Sequence, residues 1–426
     1  MSRRPSPFTS RLAGIAAAGL VVRVAYTLLI AKDTSGIGDF FFYHGQANLL
    51  ADGKGFIHPL FYVEGITAPS AEHPPLWPLV LSVTSFLGGT GFEAHRLTGC
   101  VLGALAIVVV GLLGRRVGGE RIGLVAAAIA AVYPTLVAAD GSLMSETLYG
   151  LLVGVGLLVA LRLREDPRPP LALALGALIG LAALTRAEGL LFLPLLALPV
   201  CVAARHVRTP RTAVVALAAA CVGAAVVVAP WTIRNWSAFD QPVLISVNDS
   251  TVLAGANCDQ AYSGPDTGFW ILGCLAPRTP GGNEAKQAEV WRRQGRDYVE
   301  DHLGELPRVA LIRVLRTWDL WQPRRQVGFA EGRDRTVQEI GTGVYLLMLP
   351  LGVAGAVLLR RRRFLLYVLL TPALAATVSS MLGYGLPRFR HAAELTLVVL
   401  VAFAADRGVA ALREGRFSLS SGRSTT

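Results

Sequence analysis

Long runs of this 426-residue chain carry no Asp, Glu, Lys or Arg over 18 or more positions, among them 97–114, 122–139, 213–230, 342–359 and 364–382. An α-helix needs about 20 apolar residues to cross the ~30 Å hydrocarbon core of a bilayer. A membrane-spanning strand would instead alternate polar with apolar residues, and these runs do not alternate. The sequence therefore predicts an all-α polytopic membrane protein.

Shorter apolar segments bring the predicted number of membrane helices to about ten. They are expected at 12–31, 94–114, 119–136, 143–162, 170–185, 188–204, 212–230, 342–359, 364–382 and 391–407. Segments 170–185 and 188–204 make a tight hairpin. A 16-residue helix reaches only ~24 Å, so the tip of this hairpin is expected at membrane depth.

Basic residues indicate which connections face the cytoplasm. The net charge is +11, and its basic residues lie in short blocks at every second connection, as the positive-inside rule describes. The blocks are Arg3, Arg4 and Arg11; Arg115, Arg116 and Arg121; Arg162, Arg164 and Arg168; Arg205, Arg208 and Arg211; Arg360 to Arg363; Arg413 and Arg416. Both termini are thus expected in the cytoplasm of a bacterial cell with the chain in its inner membrane. Nucleic-acid binding would need one contiguous basic face and is not expected.

This topology divides the chain into four parts. Residues 1–230 form an N-terminal membrane module of seven helices with a first external loop at 32–77, and 231–340 form an external domain. Residues 341–411 complete the membrane part, and 412–426 form a disordered cytoplasmic tail.

The external domain is predicted to be mixed α/β. Residues 242–253 look strand-like, whereas 283–303 and 307–321 look helical. An oxidising compartment outside the membrane favours a disulfide between Cys258 and Cys274.

Acidic and histidine side chains near the outer membrane surface are the first candidates for chemistry. Asp39 follows helix 1 among aromatic residues and precedes Tyr43 and His44. Partial desolvation makes such a carboxylate a better base, although a helix N-cap explains Asp39 equally well. Glu72 and His73 precede two prolines; the alternative there is a rigid turn with solvated side chains. A metal bound by His44 and His73 is compatible with the sequence, but no spacing matches a zinc site.

Arginines at membrane depth form the second group of candidates. An ionisable group costs roughly 2.5–3.5 kcal/mol there, and guanidinium is a natural partner of phosphate. The candidates are Arg186, Arg234, Arg388 and Arg390. The alternative for Arg186 is structural pairing with Glu188. Glu146 opens helix 4, where the helix dipole alone would favour an anion.

The order of these motifs resembles a known family. The chain contains Arg23 and Asp39, Glu72-His73-Pro74-Pro75-Leu76, Ser145-Glu146-Thr147, Leu184 to Gly189, Pro230 to Asn235, and Leu386-Pro387-Arg388. This set is similar to the bacterial family-39-type glycosyltransferases of the GT-C superfold, which include protein O-mannosyltransferases and lipid A aminoarabinose transferases. Many relatives carry two adjacent acidic residues where this chain has Asp39 followed by Phe40.

The resemblance implies a sugar donor on polyprenyl phosphate and transfer on the external face, with Asp39 as general base and inversion at the sugar. Four arginines (Arg186, Arg234, Arg388, Arg390) would hold the phosphate. Tyr43, His44, Glu72, His73, Glu146 and Glu188 would line the acceptor side or orient Asp39. No cofactor is required, a divalent metal is compatible, and the acceptor would be a glycan, a lipid or a protein.

Two other function classes remain open from the sequence. A transporter or flippase of a lipid-linked or anionic substrate explains the arginines, but not an external domain of this size. A non-catalytic scaffold for envelope assembly would not depend on Asp39.

Overall fold

The computed structural model describes residues 6–31, 38–203, 210–278, 282–329 and 331–413. These residues form helices and loops, without a β-strand; one isolated bridge joins Ile57 and Pro69. In chain order the α-helices are α1 Pro7–Ala25, α2 Asp39–Ala51, α3 Pro59–Val63, α4 Leu76–Phe86, α5 Phe92–Gly118, α6 Glu120–Val132, α7 Pro134–Asp140, α8 Glu146–Glu165, α9 Pro169–Thr185, α10 Leu198–Val202, α11 Pro210–Phe239, α12 Asn248–Gly255, α13 Asp259–Tyr262, α14 Glu284–Asp301, α15 Leu306–Thr317, α16 Pro323–Gln326, α17 Arg335–Leu359, α18 Arg363–Leu382 and α19 His391–Arg413.

Within the described residues, seven helices are long and apolar enough to cross a membrane. They are α1 with its π-helical extension to Ile30, α5, α8, α11, α17, α18 and α19 with the preceding turn from Pro387. The pair α6 and α7, bent by 61°, makes an eighth if the two form one span. The chain is thus a multi-pass membrane protein. The predicted total of about ten also requires the short segments Pro169–Thr185 and Ala187–Val202 to cross.

Some of the predicted features lie outside the described residues. These are Arg3, Arg4, Arg205, Arg208 and Arg416, part of the loop 32–77, and the predicted disordered tail from position 414 onward.

Small residues let α9 and α11 pack against each other at backbone distance. A Cβ atom at Gly176 would collide with the carbonyl of Ala220, and one at Gly223 with the carbonyl of Leu173. Close backbone approach through small residues is typical of membrane helix pairs, which lack a hydrophobic driving force between them. This pair supports the hairpin turn at Arg186, where α9 ends.

Three buried ion pairs, in two places, stabilise other parts of the bundle. Arg23 of α1 contacts Asp140 at the end of α7 at 2.6 Å. Arg390 contacts Asp319 at 2.8 Å and Glu394 of α19 at 2.6 Å, and all three side chains are buried. Losing one member of such a set would leave an uncompensated charge in the interior.

Residues 231–340, which were predicted to form an external domain, differ from the mixed α/β prediction. Residues 242–247 form an irregular segment, and Asn248–Gly255 is helical, so the predicted strand at 242–253 is wrong. Val243, Ile245 and Val247 are buried in alternation, which explains the strand-like pattern. Side chains of α11 bind two of their carbonyls: the indole of Trp231 donates to the Ile245 carbonyl at 2.6 Å and the amide of Asn235 to the Val243 carbonyl at 3.3 Å. The backbone N–H of Val247 donates to the Ala71 carbonyl at 2.9 Å.

Other expectations for this region agree more closely with the structure. The predicted helices 283–303 and 307–321 are present as α14 and α15, and a disulfide joins Cys258 and Cys274. The membrane helix expected to end at 230 continues through Pro230 to Phe239. Its last turns carry the side chains that bind the 242–247 segment.

Candidate functional site

A cavity of about 540 Å³ lies where six distant parts of the chain meet. One wall is apolar and includes Leu190, Leu191, Leu382 and Phe389. Its polar lining includes Asp39, Tyr43, His73, Arg186, Glu188, Tyr384 and Arg388. Most of the residues predicted for the site therefore line one cavity together with apolar side chains. We call this space the apolar cavity.

Asp39 is the first residue of α2 and faces the apolar cavity. Its Oδ2 lies 3.3 Å from Nη2 of Arg388, and its Oδ1 lies 3.7 Å from Nε2 of His73. The N-cap position belongs to Gly38, so the capping explanation for the Asp39 side chain does not describe this geometry. With 29% of its side chain exposed, Asp39 is accessible from the cavity.

Arg186 pairs with two carboxylates at the tip of the hairpin. Its Nη1 lies 2.9 Å from Glu146 and its Nε lies 2.6 Å from Glu188. Glu146, which opens α8 and is 1% exposed, also lies 3.8 Å from Nε of Arg388. The structural pairing considered for Arg186 is thus present. Because Glu146 lies between Arg186 and Arg388, the two guanidinium groups are held on the same side of the cavity.

A second cavity of about 320 Å³, which we call the polar cavity, shares Asp39, His73, Tyr384 and Arg388 with the first. The rest of its wall includes Glu72, Trp270, Arg278, Trp291 and Glu331. Asp39 therefore lies at the junction between an apolar space and a polar one. This position suits a group that must contact two different substrates.

Glu72 belongs to a charged cluster in the wall of the polar cavity. It lies 2.8 Å from His58 and 2.8 Å from Arg278, which also contacts Glu284 at 3.2 Å. Burial opposes the ionisation of Glu72, but the hydrogen bond from His58 and the charge of Arg278 outweigh it and hold its pKa below the usual range. Burial and then the charge of Glu72 raise the pKa of Glu284.

Metal ligands are grouped differently from the prediction. Within the described ranges, one group of three side chains, His58, Glu72 and Glu284, could offer ligand atoms to one ion. His44 and His73 are not part of it. Arg278 already supplies positive charge to both carboxylates of this group.

Residues 72–233 match the sequence profile of the dolichyl-phosphate-mannose-protein mannosyltransferase family. Over 97% of its length the chain superposes on the Archaeoglobus fulgidus oligosaccharyltransferase tethered to an acceptor peptide, with a TM-score of 0.57 and 14% identity. The chain has a GT-C glycosyltransferase fold. The resemblance inferred from the motifs is confirmed.

Two further solved structures are similar to this chain. The same archaeal enzyme in complex with an inhibitory peptide and dolichol-phosphate gives a TM-score of 0.51 at 15% identity, over 98% of this chain and 52% of that one. The chain spans about half the length of these archaeal structures, 51% for the first. ArnT of Cupriavidus metallidurans bound to undecaprenyl phosphate gives a TM-score of 0.42 at 18% identity, over 96% of this chain and 80% of that one. No curated protein sequence matches.

Three predicted site residues lie elsewhere in the GT-C fold. Arg234 donates to the carbonyls of Ser70 at 2.8 Å and Phe56 at 2.6 Å. Arg390 is buried in its ion pairs with Asp319 and Glu394. His44 stacks on Phe92 and lies 3.1 Å from His95. None of the three lines the apolar cavity. Their positions therefore do not support the donor-binding role predicted for Arg234 and Arg390.

Sequence analysis missed Glu331, Arg278 and Tyr384. Tyr384 precedes the Leu386-Pro387-Arg388 motif by two positions, and this proximity was a usable signal. Glu331 and Arg278 lie within 231–340, where no motif or hydrophobic pattern marks them. Burial raises the pKa of Glu331, Arg388 opposes the shift, and the charge of Asp39 adds to it.

Replacing Arg234 with Ala is expected to destabilise the protein without weakening donor binding. The change removes two hydrogen bonds that tie α11 to the first external loop, which costs about 1–3 kcal/mol when carbonyl partners lose a charged donor. Thermal unfolding in detergent and binding of a polyprenyl phosphate measure the two quantities, and affinity should stay within about twofold. A large loss of affinity with unchanged stability would return Arg234 to the phosphate site.

Proposed function

We propose that this protein transfers a sugar from a polyprenyl-phosphate donor to an acceptor of the cell envelope on the external face of the membrane. The observation that carries the proposal is the position of Asp39 at the junction of the apolar and polar cavities, beside Arg388. A base must contact the acceptor hydroxyl, and the acceptor must meet a donor whose carrier is a lipid. Only a junction between an apolar and a polar space serves both.

The donor would occupy the apolar cavity. Its isoprenoid chain would contact Leu190, Leu191 and Leu382, and its phosphate would lie against Arg186 and Arg388. Both guanidinium groups are now paired with carboxylates, so the phosphate would compete for part of their hydrogen-bonding capacity. Phe389, whose ring centre lies 5.3 Å from Arg186, helps to keep that guanidinium in place.

The chemical step would be a single displacement. Asp39 accepts the proton of the acceptor hydroxyl while the oxygen of that hydroxyl bonds to the anomeric carbon of the donor sugar. The bond between that carbon and the phosphate oxygen breaks on the opposite face, so configuration inverts and polyprenyl phosphate leaves. Arg388 and Arg186 stabilise the charge that develops on the phosphate. The leaving group is already a phosphate, so the step does not require a metal.

The remaining predicted residues would support this arrangement. His73 lies beside Asp39, and Tyr43 lies 3.5 Å from the other ring nitrogen of His73. Glu146 and Glu188 orient Arg186. Glu72 would act from the wall of the polar cavity, where the acceptor, whether glycan, lipid or protein, would bind. The alternation of basic blocks supports a bacterial inner membrane with both termini in the cytoplasm.

A direct transfer assay tests the proposal. Purified protein is incubated with polyprenyl-phosphate sugars, mannose and arabinose among them, and with envelope acceptor fractions. We expect one donor to be consumed, polyprenyl phosphate to be released in equal amount, and the product to carry the inverted linkage, with or without chelator. Cells lacking the gene should accumulate the same donor. If no donor is consumed in vitro and none accumulates in cells, the proposal is wrong.

A further inference from the structure

Glu331 reaches the candidate base from the far end of the external region. It lies in the loop before α17, 292 positions after Asp39, and accepts a hydrogen bond from the Asp39 backbone N–H at 3.2 Å. Its other carboxylate oxygen lies 3.2 Å from Nη1 of Arg388. Arg388 in turn contacts the Asp39 side chain through Nη2. These contacts close a ring through Glu331, Arg388 and Asp39.

We propose that Glu331 is a positioning residue that keeps Asp39 available as a base, an inference that rests on the proposed function. It does so by sharing the Arg388 guanidinium and by holding the first turn of α2.

The sharing of Arg388 is the first part of the argument. A guanidinium offers two parallel N–H donors to one carboxylate, and this bidentate pair is the strong geometry. Here Nη2 donates to Asp39 at 3.3 Å, and Nη1 forms an ion pair with Glu331 at 3.2 Å without hydrogen-bond geometry. Asp39 therefore has a single contact with Arg388, and its Oδ1 has His73 at 3.7 Å as its ionic neighbour. That oxygen is left to accept a proton. Without Glu331, Arg388 would be free to take both Asp39 oxygens.

The hold on α2 is the second part. The N-cap residue Gly38 has no side chain to bond the first free N–H groups, and an acceptor is needed there. The Glu331 carboxylate supplies it and adds negative charge at the positive end of the helix dipole. The backbone of α2 at Asp39 is thus held from outside its own segment.

Space for this contact depends on Gly38. A Cβ atom there would lie 2.8 Å from the Glu331 carboxylate oxygen. The backbone of Gly38 is extended, with φ of 178°, a conformation open to any residue. Alanine at this position would therefore displace the Glu331 carboxylate without straining the backbone. Gly38→Ala is an independent way to disturb the contact.

The main test compares Glu331→Gln with the wild-type protein in the transfer assay. Glutamine still offers an oxygen to the Asp39 N–H, but it has no charge to hold Arg388. We expect kcat to fall by about 10–100-fold, as for a catalytic group moved by about 1 Å, and the KM for the donor to stay within about threefold. The matched control is Glu339→Gln, an exposed carboxylate on α17 paired with Arg335, which should behave as wild type. Gly38→Ala should resemble Glu331→Gln.

Two kinetic outcomes would overturn the inference. One is full kcat in Glu331→Gln. The other is a lower kcat accompanied by equal losses of thermal stability and donor affinity, which would indicate a structural role. Hydrogen exchange gives a readout that does not depend on activity. Glu331→Ala should speed exchange in the first turn of α2 by about tenfold, as expected when a local opening costs ~1.4 kcal/mol less. Unchanged exchange would refute the contact, even if wild-type protein transfers no sugar and the proposed function itself fails.

Discussion

Asp39→Asn is expected to abolish sugar transfer while the protein remains folded. Asparagine has nearly the same shape and keeps the backbone N–H that Glu331 binds, but it cannot accept the acceptor proton. General-base assistance contributes typically about 10²–10⁴-fold, so the transfer rate of the variant should be lower than that of the wild type by that factor. The side chain is 29% exposed and faces the cavity, so replacing it removes no core packing.

The rate of transfer from a labelled polyprenyl-phosphate donor measures this effect. Asp52→Asn is the matched control, because Asp52 follows the same helix at its opposite, exposed end. Both variants should show the thermal unfolding of the wild type. Full activity in Asp39→Asn would remove Asp39 from the mechanism and leave the fold without its candidate base.

Removing Arg186 is expected to have two effects that must be separated. In Arg186→Ala the buried Glu146 loses the partner that lies 2.9 Å away. Breaking a buried ion pair on one side costs about 3–5 kcal/mol, and this loss of stability would obscure any change in donor binding. The paired variant Arg186→Gln with Glu146→Gln removes both charges and keeps two groups able to hydrogen-bond. It should therefore recover most of the unfolding free energy.

Donor affinity is the decisive measurement on the paired variant. A charged hydrogen bond to phosphate contributes about 1.5–3 kcal/mol, so affinity should fall by about 10–100-fold. Arg234→Ala is the comparison, since that arginine lies outside the apolar cavity. If the paired variant is folded and binds polyprenyl phosphate as tightly as wild type, Arg186 has only a structural role.

The charge and hydropathy patterns were sufficient to predict the class of protein. Uncharged runs, positive blocks and ordered motifs gave a multi-pass helical membrane protein of the GT-C type. The prediction of a strand at 242–253 was wrong. Alternating burial shows which side chains are covered, but it does not show which groups form hydrogen bonds with the backbone. There the partners are the Trp231 and Asn235 side chains of a helix.

Arg388 and Arg390 show why the site was harder to predict. Both lie in one short 3₁₀ turn, Pro387–Arg390, which has three residues per turn. Residues two apart therefore point to different sides: Arg388 to Asp39 and Glu331, Arg390 to Asp319 and Glu394. Because they lie in the same short turn, the sequence predicted the same phosphate-binding role for both arginines. Only their ion-pair partners in the structure distinguish them.

The sequence by itself determined that the chain enters the membrane many times, because the cost of placing charge in hydrocarbon is evaluated segment by segment. It also indicated which ionisable residues lie at membrane depth, where their energetic cost suggests a functional or structural role. Tertiary structure alone decided which of them meet. Arg388 lies 349 positions from Asp39, and Glu331 lies 292 positions from it. Contacts over such separations depend on how helices rotate and pack, and no local pattern records that.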